Sequence, residues 1–153
     1  MEIEITKIST EIDSVDLRPS VDFAKLLNDI LGHIRMSHWY TNNYNFHLLS
    51  GNLYDSLNDL FDKLQEEIIG TIKNKTTLFP IFNISQEVGN LPEDYESCDR
   101  FIFYIKLMHT ILDSLALKHY IEDCGSNGLN NTVEEIKSEI NKALYLFNMI
   151  NPN

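Results

Sequence analysis

Two histidines and two carboxylates lie within a short stretch of the chain, and their types suit metal binding. His38 and His47 precede Asp62 and Glu66, which are four positions apart. On a helix this spacing places both carboxylates on one face, one turn apart, where their like charges repel and a bound cation relieves the repulsion. Imidazole and carboxylate ligands without a thiolate favour iron, manganese or zinc over copper(I) or an iron–sulfur cluster. We therefore predict that these four side chains bind a metal.

The distance along the predicted second helix restricts how these ligands share an ion. Apolar residues recur at three- and four-residue steps from about Tyr44 to Thr71, which predicts one amphipathic helix. His47 precedes Asp62 by fifteen positions, so the two are roughly 22 Å apart at a rise of about 1.5 Å per residue. No single ion is within reach of both side chains of one chain.

The first histidine does not close this gap within one chain. A polar turn predicted at Asn42–Asn45 folds the first helix back on the second, so that His38 lies beside His47 rather than beside the carboxylates. A two-fold axis that packs two such helices antiparallel would set the histidines of one chain against Asp62 and Glu66 of the other, twice per dimer. We therefore predict a homo-oligomer with the metal site between subunits.

This stretch resembles the ferroxidase site of the Dps-type mini-ferritins, which belong to the ferritin-like superfamily. The family pattern is a His-Trp pair, a short loop, a second His, and then Asp and Glu four residues apart on the same long helix. The matching residues here are His38-Trp39, His47, Asp62 and Glu66. The resemblance is closest to small Dps-like proteins of viruses and phages, and its specific part covers about a fifth of the chain. The interval between the two histidines is shorter than in typical bacterial members, so a shorter turn is expected.

The resemblance implies an iron-oxidising enzyme, a ferroxidase, with these four residues as its catalytic and metal-binding groups. Fe(II) would bind between His38 and His47 of one subunit and Asp62 and Glu66 of its mate. Peroxide or oxygen would oxidise it, and the iron would be stored as mineral in a dodecameric cage, which detoxifies it. Trp39 is implied as a radical quencher beside the iron, and an interface anchor explains this residue equally well. Iron is the expected metal, and the spacing leaves zinc and manganese open.

A second interpretation keeps the fold without the activity. The chain would then be a non-enzymatic assembly or virion component that retains the bundle, with or without a structural metal. A di-iron site inside the bundle is disfavoured, because the fourth predicted helix lacks a Glu-x-x-His motif and the third lacks a Glu on its buried face. Any metal is therefore expected at a subunit interface.

Four amphipathic helices in an all-α, ferritin-like four-helix bundle are predicted to position these residues. The bundle occupies residues 20–153 as two antiparallel hairpins, and residues 1–19 form an N-terminal arm. A long crossover at 73–93 is expected to carry a short extra helix, as in Dps-like folds. The predicted helices are A, about Val21 to Thr41 with Ser20 as N-cap; B, about Tyr44 to Thr71; C, about Asp94 to Ile121; and D, from near Thr132 to Pro152, with Thr132 and Glu135 as a capping box.

Gly51 interrupts the pattern of helix B. A glycine inside a helix costs about 1 kcal/mol relative to alanine. Its presence therefore predicts the close approach of another helix at this point.

Charge and length restrict the function classes. The chain has 153 residues, enough for one core, and a net charge of −11. Nucleic-acid binding requires clustered Lys and Arg, whereas the first nineteen residues carry only Lys7 and Arg18 against five acids. This argues against DNA binding, for which many Dps proteins use a basic tail. The acidity fits a cage that attracts cations, and it fits simple solubility equally well.

The sequence does not point to a membrane or to secretion. No apolar run reaches the length of a membrane span, and the acidic, alternating N-terminus does not resemble a signal peptide. Cys98 and Cys124 lack a CxxC spacing and are interpreted as free thiols in a reducing compartment. We therefore predict a cytoplasmic protein, found in the host cytoplasm or the virion if it is viral.

Overall fold

The computed structural model describes residues 21–72 and 98–151, and this part of the chain is all-α, as predicted. The arm at 1–19, the N-cap Ser20 and the crossover at 73–93 lie outside the described residues. None of the described helices is both long and apolar enough to cross a membrane. The helices are α1, Val21–Tyr40; α2, Tyr44–Ile72; α3, Cys98–Leu112; α4, Leu115–Cys124; and α5, Asn127–Ile150.

The long helices pack around a single apolar core. α2 contacts α1 and α5, and α3 contacts the same two helices, so the four form a closed ring. Residues at three- and four-residue steps face the centre, because one face of each helix is apolar and must be buried. These stripes include Phe23, Leu26, Ile30 and Ile34 on α1, Leu53, Leu57, Leu64 and Ile68 on α2, and Val133, Ile136 and Ile140 on α5.

An aromatic cluster holds the beginning of α2 against two other helices. The ring of Phe46 meets that of Phe101 on α3 edge-on, with centroids 4.7 Å apart, and that of Phe147 on α5 at 5.9 Å. Edge-to-face pairs of this kind contribute about 1 kcal/mol each beyond the area that they bury. The first turn of α2 is therefore held against both α3 and α5, and His47 follows Phe46 directly in the chain.

The predicted helix C is not continuous over its described part. α3 ends at Leu112 and α4 begins at Leu115, with Ser114 between them as an N-cap whose hydroxyl accepts the N–H of Leu117 at 3.3 Å. The break shifts the helical register, so Leu115, which continues the three- and four-residue apolar spacing of the predicted helix C, is 55% exposed. Asp113 pairs with Lys137 of α5 at 3.0 Å, and this hydrogen bond lowers the pKa of Asp113.

The predicted start of helix D was also wrong. α5 begins at Asn127, and the hydroxyl of Ser126 caps it by accepting the N–H of Leu129 at 3.1 Å. Thr132 lies buried inside the helix, where its hydroxyl lies 3.1 Å from the carboxylate of Glu67 on α2 and 3.1 Å from the carbonyl oxygen of Gly128. Ser126 and Thr132 are both good cap residues, and the contact with α2 places Thr132 in the helix interior.

A half-buried histidine lies between α1 and α3. The ring of His33 stacks on that of Tyr104 with centroids 4.2 Å apart and planes 10° apart. Arg100 donates a hydrogen bond to the Tyr104 hydroxyl at 2.9 Å. Burial, with a smaller effect of the Arg100 charge, lowers the pKa of His33 to about 4, so the ring is neutral in the folded protein at pH 7.

We expect His33→Gln to lose less stability than the wild type when the pH falls. The folded state keeps His33 neutral down to about pH 4, whereas the unfolded chain protonates it near pH 6.5. Above pH 6.5 the His33 ring is neutral in the folded and the unfolded chain, so its burial stabilises the folded protein in full. Below pH 6.5 protonation of the unfolded chain reduces this stabilisation. Between pH 6.5 and pH 4 the free energy of unfolding should fall by about 2 kcal/mol more in the wild type than in His33→Gln. This value is smaller than the full pKa difference implies, because the ring is partly accessible to solvent.

Urea unfolding of both proteins at several pH values between 7 and 4 measures this difference. His33→Phe is the control, because it also cannot titrate and should show the same pH dependence relative to the wild type. A constant stability gap between the wild type and both variants would contradict the assignment.

Candidate functional site

A tight turn brings the end of α1 beside the beginning of α2. Helix α2 starts at Tyr44, so the turn is shorter than the predicted Asn42–Asn45. The side-chain carbonyl of Asn43 accepts the N–H of Phe46 at 3.0 Å and so caps the helix. The hydroxyl of Thr41 accepts the N–H of Asn43 at 3.2 Å. These short-range bonds direct α2 back along α1, so that the facing residues of the two helices meet.

His38 and His47 form a reciprocal pair across this turn. Their rings stack with centroids 3.9 Å apart and planes 20° apart. Nδ1 of His38 lies 2.8 Å from the carbonyl oxygen of His47, and Nδ1 of His47 lies 2.8 Å from the carbonyl oxygen of His38. Because a carbonyl only accepts hydrogen bonds, both Nδ1 atoms carry the proton and donate. A ring that carries its single proton on Nδ1 has its lone pair on Nε2, as in most metal-binding histidines.

A buried serine supports the same hydrogen bonds. The hydroxyl of Ser50 lies 2.8 Å from the carbonyl oxygen of Phe46 and 3.2 Å from that of His47. The His47 carbonyl can thus accept from both Ser50 and His38. These contacts restrict the carbonyl that orients the His38 ring, which is the usual role of groups behind a metal ligand.

The stacking restricts how the two imidazoles use their lone pairs. A metal lies in the plane of the ring that binds it, at about 2.1 Å from the nitrogen. The two ring planes are close to parallel, so no point at that distance lies in both. In this orientation the lone pairs of His38 and His47 are directed to two different points, and one ring would have to turn before both could face a single point.

The two carboxylates lie apart from the histidines. Asp62 and Glu66 are both exposed on α2, one turn apart, as predicted. Because α2 is unbroken from Tyr44 to Ile72, fifteen residues separate His47 from Asp62 by roughly 22 Å along the axis. Within residues 21–72 and 98–151, no three His, Cys, Asp or Glu side chains come together as a metal site. One chain therefore holds the four predicted ligands as two separate pairs.

Both pairs border the outward side of the α1–α2 hairpin. A groove of about 470 Å³ runs between the helices near the carboxylates, and its lining includes Asp62, Asn28, Asn58 and Gln65. The histidine pair lies at the other end of the same hairpin, next to the turn. A molecule that covers this side of the hairpin would contact both pairs.

An arginine lies between two aromatic rings on this side of the hairpin. The guanidinium carbon of Arg35 is 5.2 Å from the ring centre of Trp39 and 4.8 Å from that of Tyr54 on α2. Cation–π contacts of this kind are worth about 1 kcal/mol when exposed. Trp39, the predicted radical quencher or interface anchor, is 59% exposed, and the arginine is the described partner of its ring.

Sequence reasoning did not identify Ser50, Arg35 or Tyr54 as parts of this region. Arg35 and Tyr54 meet across the hairpin, in a contact that depends on the exact relative position of the two helices, whereas Ser50 bonds two carbonyl oxygens of its own helix. A serine three residues after a histidine is too common a pattern to signal this role.

Comparison with known proteins identifies the family of this chain. Residues 38–147 match a family described as a family of unknown function, DUF5856. The chain belongs to this family. No curated protein matches the chain, and no solved structure does. The DUF5856 match begins at His38 and includes both histidines and both carboxylates.

We expect the stacked rings to couple energetically. His38→Ala and His47→Ala each remove one hydrogen bond, and each also removes the same stacking contact. The sum of the two losses in the free energy of unfolding therefore includes the stacking contact twice. The double variant should therefore lose about 1 kcal/mol less than the sum of the single variants. Urea unfolding without metal measures this coupling.

The control is a double-mutant cycle that combines His38→Ala with His119→Ala. His119 is exposed on α4, so its replacement should not affect the stacked rings. This cycle should be additive to within about 0.5 kcal/mol. Equal additivity in both cycles would show that the two rings do not interact in solution.

Proposed function

We propose that this DUF5856 protein is a ferritin-like, Dps-type ferroxidase that binds Fe(II) between two subunits. The observation that carries the proposal is the His38–His47 pair. Both Nδ1 atoms are used by backbone carbonyls, so each ring offers its Nε2 to a cation of its own without rearranging its hydrogen bond.

The antiparallel pairing of two α2 helices would supply the missing carboxylates. A two-fold axis that crosses α2 between residues 56 and 57 sets His47 against Glu66 of the partner subunit, with Asp62 one turn further along. The same register sets Tyr44, which is 73% exposed, against Ile69, which is 52% exposed. Burial of this apolar pair at both ends of the seam would stabilise the dimer by the hydrophobic effect.

The ligand types suit the oxidation of ferrous iron. Imidazole binds Fe(II), and carboxylate oxygens favour the harder Fe(III), so the mixed set of Asp62, Glu66 and the two histidines assists the change of oxidation state. Two Fe(II) ions would give two electrons to one hydrogen peroxide molecule, its O–O bond would break, and two protons would be taken up to release two water molecules. Zinc, which has no accessible higher oxidation state, would occupy the same ligands without this reaction, and manganese would compete for them.

Storage of the product fits the charge of the chain. The net charge of −11 attracts cations to an assembly of this protein. By resemblance to Dps proteins we propose a dodecameric cage that holds the oxidised iron, located in the cytoplasm or, for a viral protein, in the host cytoplasm or virion. The same charge makes DNA compaction a poor second role.

A non-enzymatic assembly role is the alternative. Its specific support is the end of α5, where Tyr145 and Met149 are exposed one turn apart. Large apolar side chains in this arrangement are typical of contacts between proteins. Metal analysis of the purified protein, with its mass in solution, would distinguish an iron protein from an assembly component with zinc or no metal.

We expect the carboxylate pair to be required for iron oxidation. With Fe(II) and peroxide, the Asp62→Ala/Glu66→Ala variant should form ferric iron at least tenfold more slowly than the wild type, because its two anionic ligands are lost. Glu135→Ala/Glu139→Ala on α5 is the matched control, with the same spacing and the same change in charge. Stopped-flow absorbance of ferric iron measures the rate. Equal rates in all three proteins would refute the proposal.

Mixing two inactive variants tests whether the site is shared between chains. One variant carries His38→Ala/His47→Ala and the other Asp62→Ala/Glu66→Ala. Unfolding and refolding them together should restore about a quarter of the wild-type sites, because half of the random dimers are mixed and each mixed dimer has one intact site. A site within one chain would give no recovery of ferric absorbance.

A further inference from the structure

Gly51 has no space for a side chain. It lies on α2 one turn after His47, and a Cβ atom at this position would be 2.7 Å from Cε1 and 2.9 Å from Nδ1 of the His38 ring. Non-bonded carbon and nitrogen atoms do not approach this closely, so the ring would have to move. Gly70, also on α2, has nothing within 4 Å of its Cβ position. The close approach of another helix, which the glycine predicted, is made by α1 through the imidazole of His38.

We infer that Gly51 is a positioning residue, which holds the His38 ring in the orientation that leaves Nε2 free for a metal. The metal-binding consequence of this inference rests on the proposed function, whereas its geometry rests only on the positions of Gly51, His38 and His47. Three contacts surround the ring: the α2 backbone at Gly51, the His47 ring at 3.9 Å, and the His47 carbonyl at 2.8 Å from Nδ1. The ring and the carbonyl of His47 already occupy two of these sides. A group added at Gly51 would therefore force the His38 ring to rotate away from the His47 ring.

Rotation of the ring would remove the hydrogen bond that determines which nitrogen carries the proton. The bond from Nδ1 to the His47 carbonyl keeps the proton on Nδ1. Without that acceptor the proton is free to reside on Nε2, where it blocks the lone pair that would bind a metal. A methyl group at residue 51 would thus weaken metal binding without touching the metal.

Helix propensity gives an independent test of the steric contact. Alanine is the better helix former, so Gly51→Ala should raise stability wherever nothing opposes the new methyl group. In the wild-type background the His38 ring opposes it. In a His38→Ala background the space is vacant, and the same substitution should raise the urea midpoint. The sign of its effect should therefore depend on residue 38.

The experiment compares Gly51→Ala with Gly70→Ala. Long-range proton–nitrogen NMR of the metal-free proteins reports which ring nitrogen of His38 carries the proton. We expect the wild type and Gly70→Ala to have it on Nδ1, and Gly51→Ala to lose this signature. Titration with Co(II) as the probe should show affinity lower by about tenfold in Gly51→Ala and unchanged in Gly70→Ala.

The outcomes separate this inference from the proposed function. If Gly51→Ala keeps the His38 signature, or stabilises the protein equally with His38 and with alanine at residue 38, the inference is wrong. If the signature changes but even the wild type binds no Co(II), the proposed metal site fails and the positioning of the ring by Gly51 stands. If Gly51→Ala does not fold, recovery of folding in Gly51→Ala/His38→Ala supports the steric contact, and failure to recover it overturns the inference.

Discussion

The unbroken length of α2 is the constraint on which the candidate site depends. A helix has a fixed rise, so the distance between His47 and the carboxylates of Asp62 and Glu66 cannot be shortened by any local movement. The core stripe of α2 packs against α1 and α5, and a bend that brought the two pairs together would expose that stripe to water. The chain therefore carries two half-sites that face the same side of one hairpin. Their chemistry depends on what covers that side.

The histidine half of the site is held by short-range contacts of several kinds. The capped turn directs α2 along α1, the Phe46 cluster fixes the first turn of α2 against the core, and the buried Ser50 hydroxyl restricts the His47 carbonyl. Each hydrogen bond contributes only about 1 kcal/mol net. Together they define one geometry for two rings that lie close to solvent. Such pre-organisation reduces the entropy lost when a ligand binds.

The helix ends were harder to predict than the helices. The apolar periodicity identified α1 and α2 closely, because one buried face leaves a repeating pattern. It did not identify the break at Asp113–Ser114 or the start of α5, where several residues are equally capable of capping. Lys137 contacts Asp113 and Glu67 contacts Thr132 from neighbouring helices. These choices are made by partners distant in the chain, which a local pattern does not contain.

By itself, the sequence determined the all-α class, the apolar faces and the residue types able to bind a cation, because these follow from local composition and spacing. Its helical spacing also determined that His47 and Asp62 of one chain are too far apart to share an ion. Only the tertiary structure decided that His38 and His47 stack and exchange carbonyl bonds, that their Nε2 atoms remain free, and that Gly51 leaves the space for one ring. These features depend on the relative position of two helices to within a few tenths of an ångström, which is set by the packing of the whole core.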